Sequence, residues 1–154
     1  MSVYIAYGTA ADQVTALRLQ ALGAVNGLTV YVPPAHTRVS PFQTLDEVSA
    51  RKLRESDVVL GVVEAGLSEA CHQELHMGVG LNKPTIIMAE PLSAGQLEGL
   101  FPGRVVVMDP NNPTQAATEI VSHLKKAHMQ QGTEKTFLAL GAIALGLFVL
   151  ASQD

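Results

Sequence analysis

The chain has 154 residues, a length that suits one domain with a sizeable core. Hydrophobic residues make up 47% and charged residues 16%, which is apolar for a soluble domain. The net charge of −4 argues against a nucleic-acid surface, which needs clustered lysine and arginine. The single cysteine, Cys71, excludes an intramolecular disulfide and a multi-cysteine metal site, and no secretory signal is predicted at the start.

Residues 1–131 alternate short β-rich segments with longer helical patterns. This alternation predicts an α/β domain, a flavodoxin-like three-layer sandwich with a five-stranded parallel sheet. In chain order the predicted elements are strand Val3–Tyr7, helix Ala11–Val25, strand Leu28–Val32, helix Leu45–Glu55, strand Asp57–Val63, helix Ser68–Leu81, strand Thr85–Met88, helix Leu92–Leu100, strand Arg104–Met108 and helix Pro113–Met129.

Three local features sharpen this prediction. The first helix is expected to face the core with the stripe Val14, Leu17, Leu19 and Leu22. The segment from Pro33 to Gln43 is predicted to be a loop without regular structure, and long loops of this kind are often functional. The nearly continuous apolar run of the third strand is typical of a strand buried on both faces.

Residues 136–152 carry no charge and follow a polar linker at residues 132–135. A helix of about 17 residues spans roughly 25 Å, slightly less than a hydrocarbon core of about 30 Å. Lysines 125, 126 and 135 precede this segment, so the positive-inside rule predicts a single-pass C-terminal anchor with the domain cytoplasmic. The alternative is a final helix buried in the core or in an oligomer interface.

The third predicted helix places Glu74 in the middle of an apolar face, at about 100° per residue. The other members of that face are Ala70, Cys71, Met77, Gly78 and Leu81. Burying a carboxylate is costly unless something compensates. Either Glu74 is paired structurally, or it faces a cleft in which a raised pKa is useful.

Other sequence patterns point away from several common functions. His72 and His76 lie around Glu74, but the zinc motif H-E-x-x-H needs its glutamate directly after the first histidine, so a solvated pair is predicted and no metal site. No G-x-G-x-x-G and no G-x-x-x-x-G-K-[ST] occurs, which argues against dinucleotide oxidoreductases and nucleoside triphosphatases. Cys71 is expected to be inert packing rather than a nucleophile, and Asp109 to cap the following helix.

Two stretches of the chain resemble the TIR (Toll/interleukin-1 receptor) domain family in its prokaryotic form. The segment LRESDVVLGVVEAGLSEACHQELHMGVGLNKPTIIM, residues 53–88, places Ser68, Cys71 and Glu74 at the spacing of the second half of that domain. The opening VYIAYGTAADQVTALRLQALGAVNGLTVYV is similar to its first motif, a strand ending in Tyr7 followed by a helix and a second strand. Nucleoside 2-deoxyribosyltransferases are a more distant likeness.

The resemblance implies that Glu74 handles an N-glycosidic bond and that the substrate is NAD, which loses nicotinamide to give ADP-ribose or a cyclic product. It also implies substrate contacts, and these fall on Tyr7, Gly8, Thr9, Arg38, Phe42, Ser68 and Cys71. NAD would be a substrate, with no cofactor, and self-association and a role in antiphage defence are further implications. Two departures stand out: Ala70 replaces the family's usual tryptophan, and Ser68 replaces the aspartate of the deoxyribosyltransferases.

Two other functions remain open from the sequence. A TIR-like domain also serves as a non-catalytic module that binds nucleotides or partner domains at a membrane. Alternatively, the substrate of an N-glycosidase or deoxyribosyltransferase-like enzyme is a nucleoside or nucleotide other than NAD.

Overall fold

A computed structural model describes residues 1–38, 45–109 and 111–130 of the chain. Its five strands form one sheet in the order β2-β1-β3-β4-β5, and every neighbouring pair is parallel. This confirms the predicted α/β class, and the strand order is that of flavodoxin-like folds. The strands are β1 (Ser2–Tyr7), β2 (Thr29–Tyr31), β3 (Val58–Val63), β4 (Thr85–Ala89) and β5 (Val105–Val107).

Five α-helices connect and follow these strands. They are α1 (Gln13–Val25), α2 (Glu47–Glu55), α3 (Glu69–Gly80), α4 (Pro91–Leu100) and α5 (Pro113–Gln130). Two helix starts have side-chain caps: Asp46 accepts a hydrogen bond from Ser49 N, and Ser68 accepts one from Cys71 N. Ser68, the first residue of the predicted helix Ser68–Leu81, is therefore its N-cap.

The helices cover both faces of the sheet. One apolar cluster joins the sheet to α1 and α5, and a second joins it to α2, α3 and α4. Strand β1 shows the division, because Ile5 and Tyr7 belong to the first cluster while Tyr4 and Ala6 belong to the second. All six residues of β3 are buried, as its apolar run predicted.

The predicted core stripe of α1 is wrong at two positions. Val14 and Leu17 are 67% and 45% exposed, while Leu19 is buried and Leu22 only partly so. The buried positions are Thr15, Ala16, Leu19 and Gly23. Small residues fill this face because α1 lies close to the sheet; a Cβ on Gly23 would lie 2.5 Å from a methyl group of Val30.

The segment after β2 also differs from its prediction. A short 3-10 helix at Ala35–Arg38 begins inside the stretch expected to lack regular structure. Thr37 Oγ1 donates to the carbonyl of Pro34, which closes this turn locally.

Several predictions fall on residues that the structure leaves undescribed. Phe42 is among them, as are the linker at residues 132–135 and the proposed anchor at residues 136–152. Within the described ranges, no helix is long and apolar enough to cross a membrane.

Candidate functional site

Glu74 lies on the face of α3 that packs against the sheet, and its side chain is completely buried. One carboxylate oxygen, Oε1, is 2.5 Å from Nη2 of Arg38 in an ion pair whose two side chains are 1% and 0% exposed. The other oxygen, Oε2, accepts a short hydrogen bond from the hydroxyl of Tyr4. The sequence left open whether Glu74 is paired with another side chain or faces a cleft. In the structure its carboxylate is paired with Arg38 and Tyr4.

Burial makes the ionised form of Glu74 less stable than it is in water. Burial raises the pKa of Glu74 to about 7, and the lowering effects of Arg38 and the Tyr4 hydroxyl only partly offset this. Burial, reinforced by the neighbouring Glu74 charge, also raises the pKa of Tyr4, so the phenol stays a donor. The pKa of Arg38 is raised by Glu74 despite the opposing effect of burial. The pair therefore holds a carboxylate that takes up a proton unusually easily.

Arg38 links Glu74 to the carboxyl end of β1. Its guanidinium carbon lies 4.5 Å from the centre of the Tyr7 ring, in a cation–π contact. The Tyr7 hydroxyl donates to the carbonyl of Pro33 at 2.6 Å, so both ends of the Pro33–Arg38 segment are tied down by side chains. Arg38 Nη1 donates to Thr37 Oγ1, whereas its buried Nε has no hydrogen-bond partner among the residues that the structure describes.

A second group of residues closes the crevice between the carboxyl ends of β1 and β3, the switch point where open α/β sheets bind ligands. A Cβ on Gly8 would lie 1.9 Å from the carbonyl oxygen of Gly66, so only glycine fits here. Gly8 N donates to the Val62 carbonyl, and Ser68 N donates to the Gly8 carbonyl. The two loops are therefore in direct backbone contact.

Asp12 binds both of these loops and was not predicted as a site residue. Its Oδ2 accepts from Thr9 N and its Oδ1 from Ala65 N, both at 3.1 Å, and the residue is 1% exposed. Burial raises the pKa of Asp12, partly offset by these backbone donors. The spacing T-x-x-D at Thr9–Asp12 resembles a capping box and is the sequence signal that would have found it. Nearby, Thr15 donates to Glu64 at 2.6 Å.

The remaining predicted site residues occupy structural positions. Ser68 caps α3, and Cys71 is fully buried with its thiol 3.5 Å from the carbonyl oxygen of Ala6. Burial raises the pKa of Cys71 well above its usual range, which agrees with inert packing. The Thr9 hydroxyl is buried without a hydrogen-bond partner. Asp109 accepts from Asn111 N in the turn before α5.

The structure thus brings Tyr7, Arg38 and Glu74 into one contact group and adds Tyr4, while Gly8 and Thr9 lie in the adjoining β1–α1 loop. A hollow of about 80 Å³ is found elsewhere, near the amino ends of β1 and β2, and Lys52 and Glu55 line it. Within the described ranges, no group of three or more His, Cys, Asp or Glu side chains is arranged to hold a metal ion.

Chemically, this contact group offers a buried acid, a guanidinium and a phenol. The carboxylate has no free oxygen in this arrangement, so a substrate atom could reach it only after Arg38 or Tyr4 moves away. The Arg38 contact comes from the end of the short 3-10 helix Ala35–Arg38, whose last two residues are buried, whereas Tyr4 lies within a central strand of the sheet.

Two comparisons with known proteins identified no relative of the chain. No family model matches the chain, and a search of curated proteins returned no significant match.

Proposed function

We propose that this chain is a TIR-like N-glycosidase that cleaves the bond between nicotinamide and ribose in NAD, with Glu74 as the catalytic carboxylate. The observation that carries the proposal is the completely buried Glu74, with a pKa of about 7, held beneath the Pro33–Arg38 segment. Buried acids with strongly raised pKa values cluster at functional sites. The resemblance of residues 53–88 to TIR domains identifies the same residue independently of this geometry.

The proposed chemistry needs one carboxylate at the sugar. The bond between ribose C1′ and the pyridinium nitrogen breaks, and the electron pair leaves with nicotinamide, which becomes neutral. The positive charge that develops on the ribose is stabilised or trapped by the Glu74 carboxylate. Water then adds its hydroxyl to C1′ and releases a proton, giving ADP-ribose. Because nicotinamide leaves as a neutral molecule, no acid is required to protonate it.

The described arrangement is a closed state of this proposed site. Substrate access requires the Pro33–Arg38 segment to move away, which breaks the Arg38–Glu74 ion pair and the hydrogen bond from Tyr7 to Pro33. Once withdrawn from Glu74, the Arg38 guanidinium is suited to a diphosphate, since its planar donors match phosphate oxygens. Self-association, or capture at a membrane by residues 136–152, is the proposed trigger for this movement.

A non-catalytic module is the second candidate, and the ion pair itself favours it. A carboxylate with both oxygens occupied is also what a structural contact would look like, with Arg38 fastening its segment to α3. In that case the domain binds nucleotides or partner domains without cleaving them.

Nicotinamide release from NAD distinguishes these candidates. The full chain is assayed at high concentration and on anionic lipid vesicles, together with Glu74→Gln and the matched control Glu69→Gln, an exposed glutamate on the same helix. We expect release by the wild type and by Glu69→Gln, and a loss of about 100-fold or more in Glu74→Gln. Equal rates in all three proteins would remove Glu74 from the mechanism.

Two further arms address the alternatives. Absence of release in every assembly state, with ATP and free nucleosides also left intact, would favour the non-catalytic module. Cleavage of another nucleotide or nucleoside, but not NAD, would identify an N-glycosidase of different specificity. The proposed anchor is tested by membrane fractionation, in which a chain ending at Gln131 should move to the soluble fraction while the full chain sediments with membranes.

A further inference from the structure

The outer face of α3, opposite Glu74, carries two histidines in direct contact. Nε2 of His72 lies 3.0 Å from Nε2 of His76, and the two ring centres are 4.5 Å apart. The residues are one helical turn apart, so their side chains lie side by side on the surface. His76 is exposed and His72 half-buried, so the pair lies at the surface of the domain.

A core aromatic residue orients both rings. The ring centre of Phe101 lies 4.9 Å from that of His76 and 6.1 Å from that of His72, and Phe101 is only 3% exposed. Because the imidazoles rest on a fixed surface, part of the entropy of ordering them has already been lost on folding. A ligand that needs both nitrogens therefore meets a pair that is already assembled.

The separation of the nitrogens suits a shared metal ion. With metal–nitrogen bonds of about 2.0 to 2.1 Å, two imidazoles bound at a right angle have nitrogens about 2.9 Å apart, and at the tetrahedral angle about 3.3 Å apart. The observed 3.0 Å lies within this range. For both Nε2 atoms to bind the metal, the ring that donates in this contact carries its proton on Nδ1 instead, because metal-bound histidine is a neutral imidazole.

We propose that His72 and His76 together chelate a late first-row divalent metal ion such as Zn²⁺, Ni²⁺ or Cu²⁺. Imidazole is a preferred ligand of these ions. No third His, Cys, Asp or Glu of the described residues joins the pair, so water completes the coordination shell. Glu69, one turn before His72 on the same helix, accepts a hydrogen bond from Gln73 at 3.3 Å. The site is therefore open and exchangeable, unlike a closed structural zinc centre.

This inference is independent of the proposed glycosidase. His72 and His76 lie on the solvent side of α3, whereas Glu74 lies on its core side, so either assignment can fail without the other. A bound ion would cross-link successive turns of α3 and so stabilise the helix that carries Glu74.

Calorimetric titration of the untagged full chain with Zn²⁺ alone tests the proposal. We expect one site per chain, with affinity lowered about 100-fold in His72→Gln and in His76→Gln, because the second ligand of a chelate binds intramolecularly. His123→Gln, which changes one of the two histidines of α5, should bind like the wild type. Nitrogen-15 spectra of the imidazoles should show Zn²⁺ shifting the signals of residues 72 and 76 before all others.

A further variant, the register control, tests whether binding depends on the spacing of the two histidines or only on the number of histidines in the chain. The double variant His76→Gln/Gly80→His keeps five histidines but places two of them two helical turns apart, and no atom lies within 4 Å of a Cβ at Gly80. This variant should lose binding as fully as His76→Gln. Wild-type affinity in the register control, or in His72→Gln and His76→Gln, would overturn the proposal and leave the two histidines as a hydrogen-bonded surface pair. Circular dichroism verifies that each variant is folded.

Discussion

The domain buries two acidic side chains near the carboxyl ends of its first strands, and it holds them in different ways. Asp12 is bound by backbone N–H groups of Thr9 and Ala65, with no cation among its hydrogen-bond partners. Glu74 is bound by side chains, the Tyr4 hydroxyl and the Arg38 guanidinium. Asp12 therefore joins the backbones of two loops, whereas Glu74 joins two side chains, one from a strand and one from the end of the Ala35–Arg38 3-10 helix. The proposed function requires the second arrangement to open at Arg38.

The largest effect is expected from removing the cation beside Glu74. Arg38→Met leaves a buried carboxylate without its charge partner and should lower the free energy of unfolding by about 3 to 5 kcal/mol. The double variant Arg38→Met/Glu74→Gln removes both charges and should recover most of this loss. Urea unfolding of the two single variants and the double variant measures the coupling, and simple addition of the single losses would show that the pair is not coupled.

Asp12→Ala should have the next largest effect, about 2 to 3 kcal/mol, because two part-buried hydrogen bonds from backbone N–H groups lose their acceptor. Asp12→Asn keeps one acceptor oxygen and should lose about half as much. The exposed Asp109, which also accepts from a backbone N–H, provides the control: Asp109→Ala should lose less than about 1 kcal/mol. Urea unfolding measures all three, and equal losses at positions 12 and 109 would contradict the structural role given to Asp12.

Tyr4→Phe removes the second partner of Glu74 without changing the shape of the core. A buried hydrogen bond to a charged group contributes about 1.5 to 3 kcal/mol, and we expect the lower end because Arg38 remains. Tyr31→Phe is the control, since its hydroxyl makes only a long contact of 3.4 Å with Ser49. A Tyr4→Phe protein as stable as Tyr31→Phe would mean that the phenol does not support the carboxylate.

The pH dependence of stability gives the finest distinction. Burial raises the pKa of Glu74 from 4.5 to about 7, so the folded state binds this proton more readily than the unfolded state. That contribution to stability is complete below about pH 4.5 and is lost as the pH rises through about 7. Relative to Glu74→Gln, the wild type should lose at most about 1.4 kcal/mol per pH unit over this interval. A difference between the two proteins that stays constant from pH 4.5 to 8 would contradict the raised pKa.

The sequence predicted the fold and the burial of Glu74 because both depend on local periodicity. Alternation of strand and helix patterns identified the five strands and five α-helices of the described residues, and helix spacing put Glu74 among apolar neighbours. The stripe of α1 failed because small residues, not the large apolar ones at positions 14 and 17, face the sheet there. Periodicity gives the faces of a helix but not how closely it approaches its neighbours.

The partners of Glu74 were harder to predict. Tyr4 and Arg38 lie 70 and 36 residues away along the chain, so their contacts arise only from the packing of β1 and the Pro33–Arg38 segment on α3. Strand alternation places Tyr4 and Tyr7 on opposite faces, but it does not say which face meets α3. Asp12 had a local signal in its spacing from Thr9, and this signal was overlooked.

The contact between Gly8 and Gly66 restricts how any small molecule could approach this domain. Because main-chain atoms meet there, rotation of a side chain cannot widen the gap at this point between β1 and β3. Arg38, which follows β2, lies over the Tyr7 ring beside this contact. Under the proposed function, a substrate that reaches Glu74 must displace this arginine.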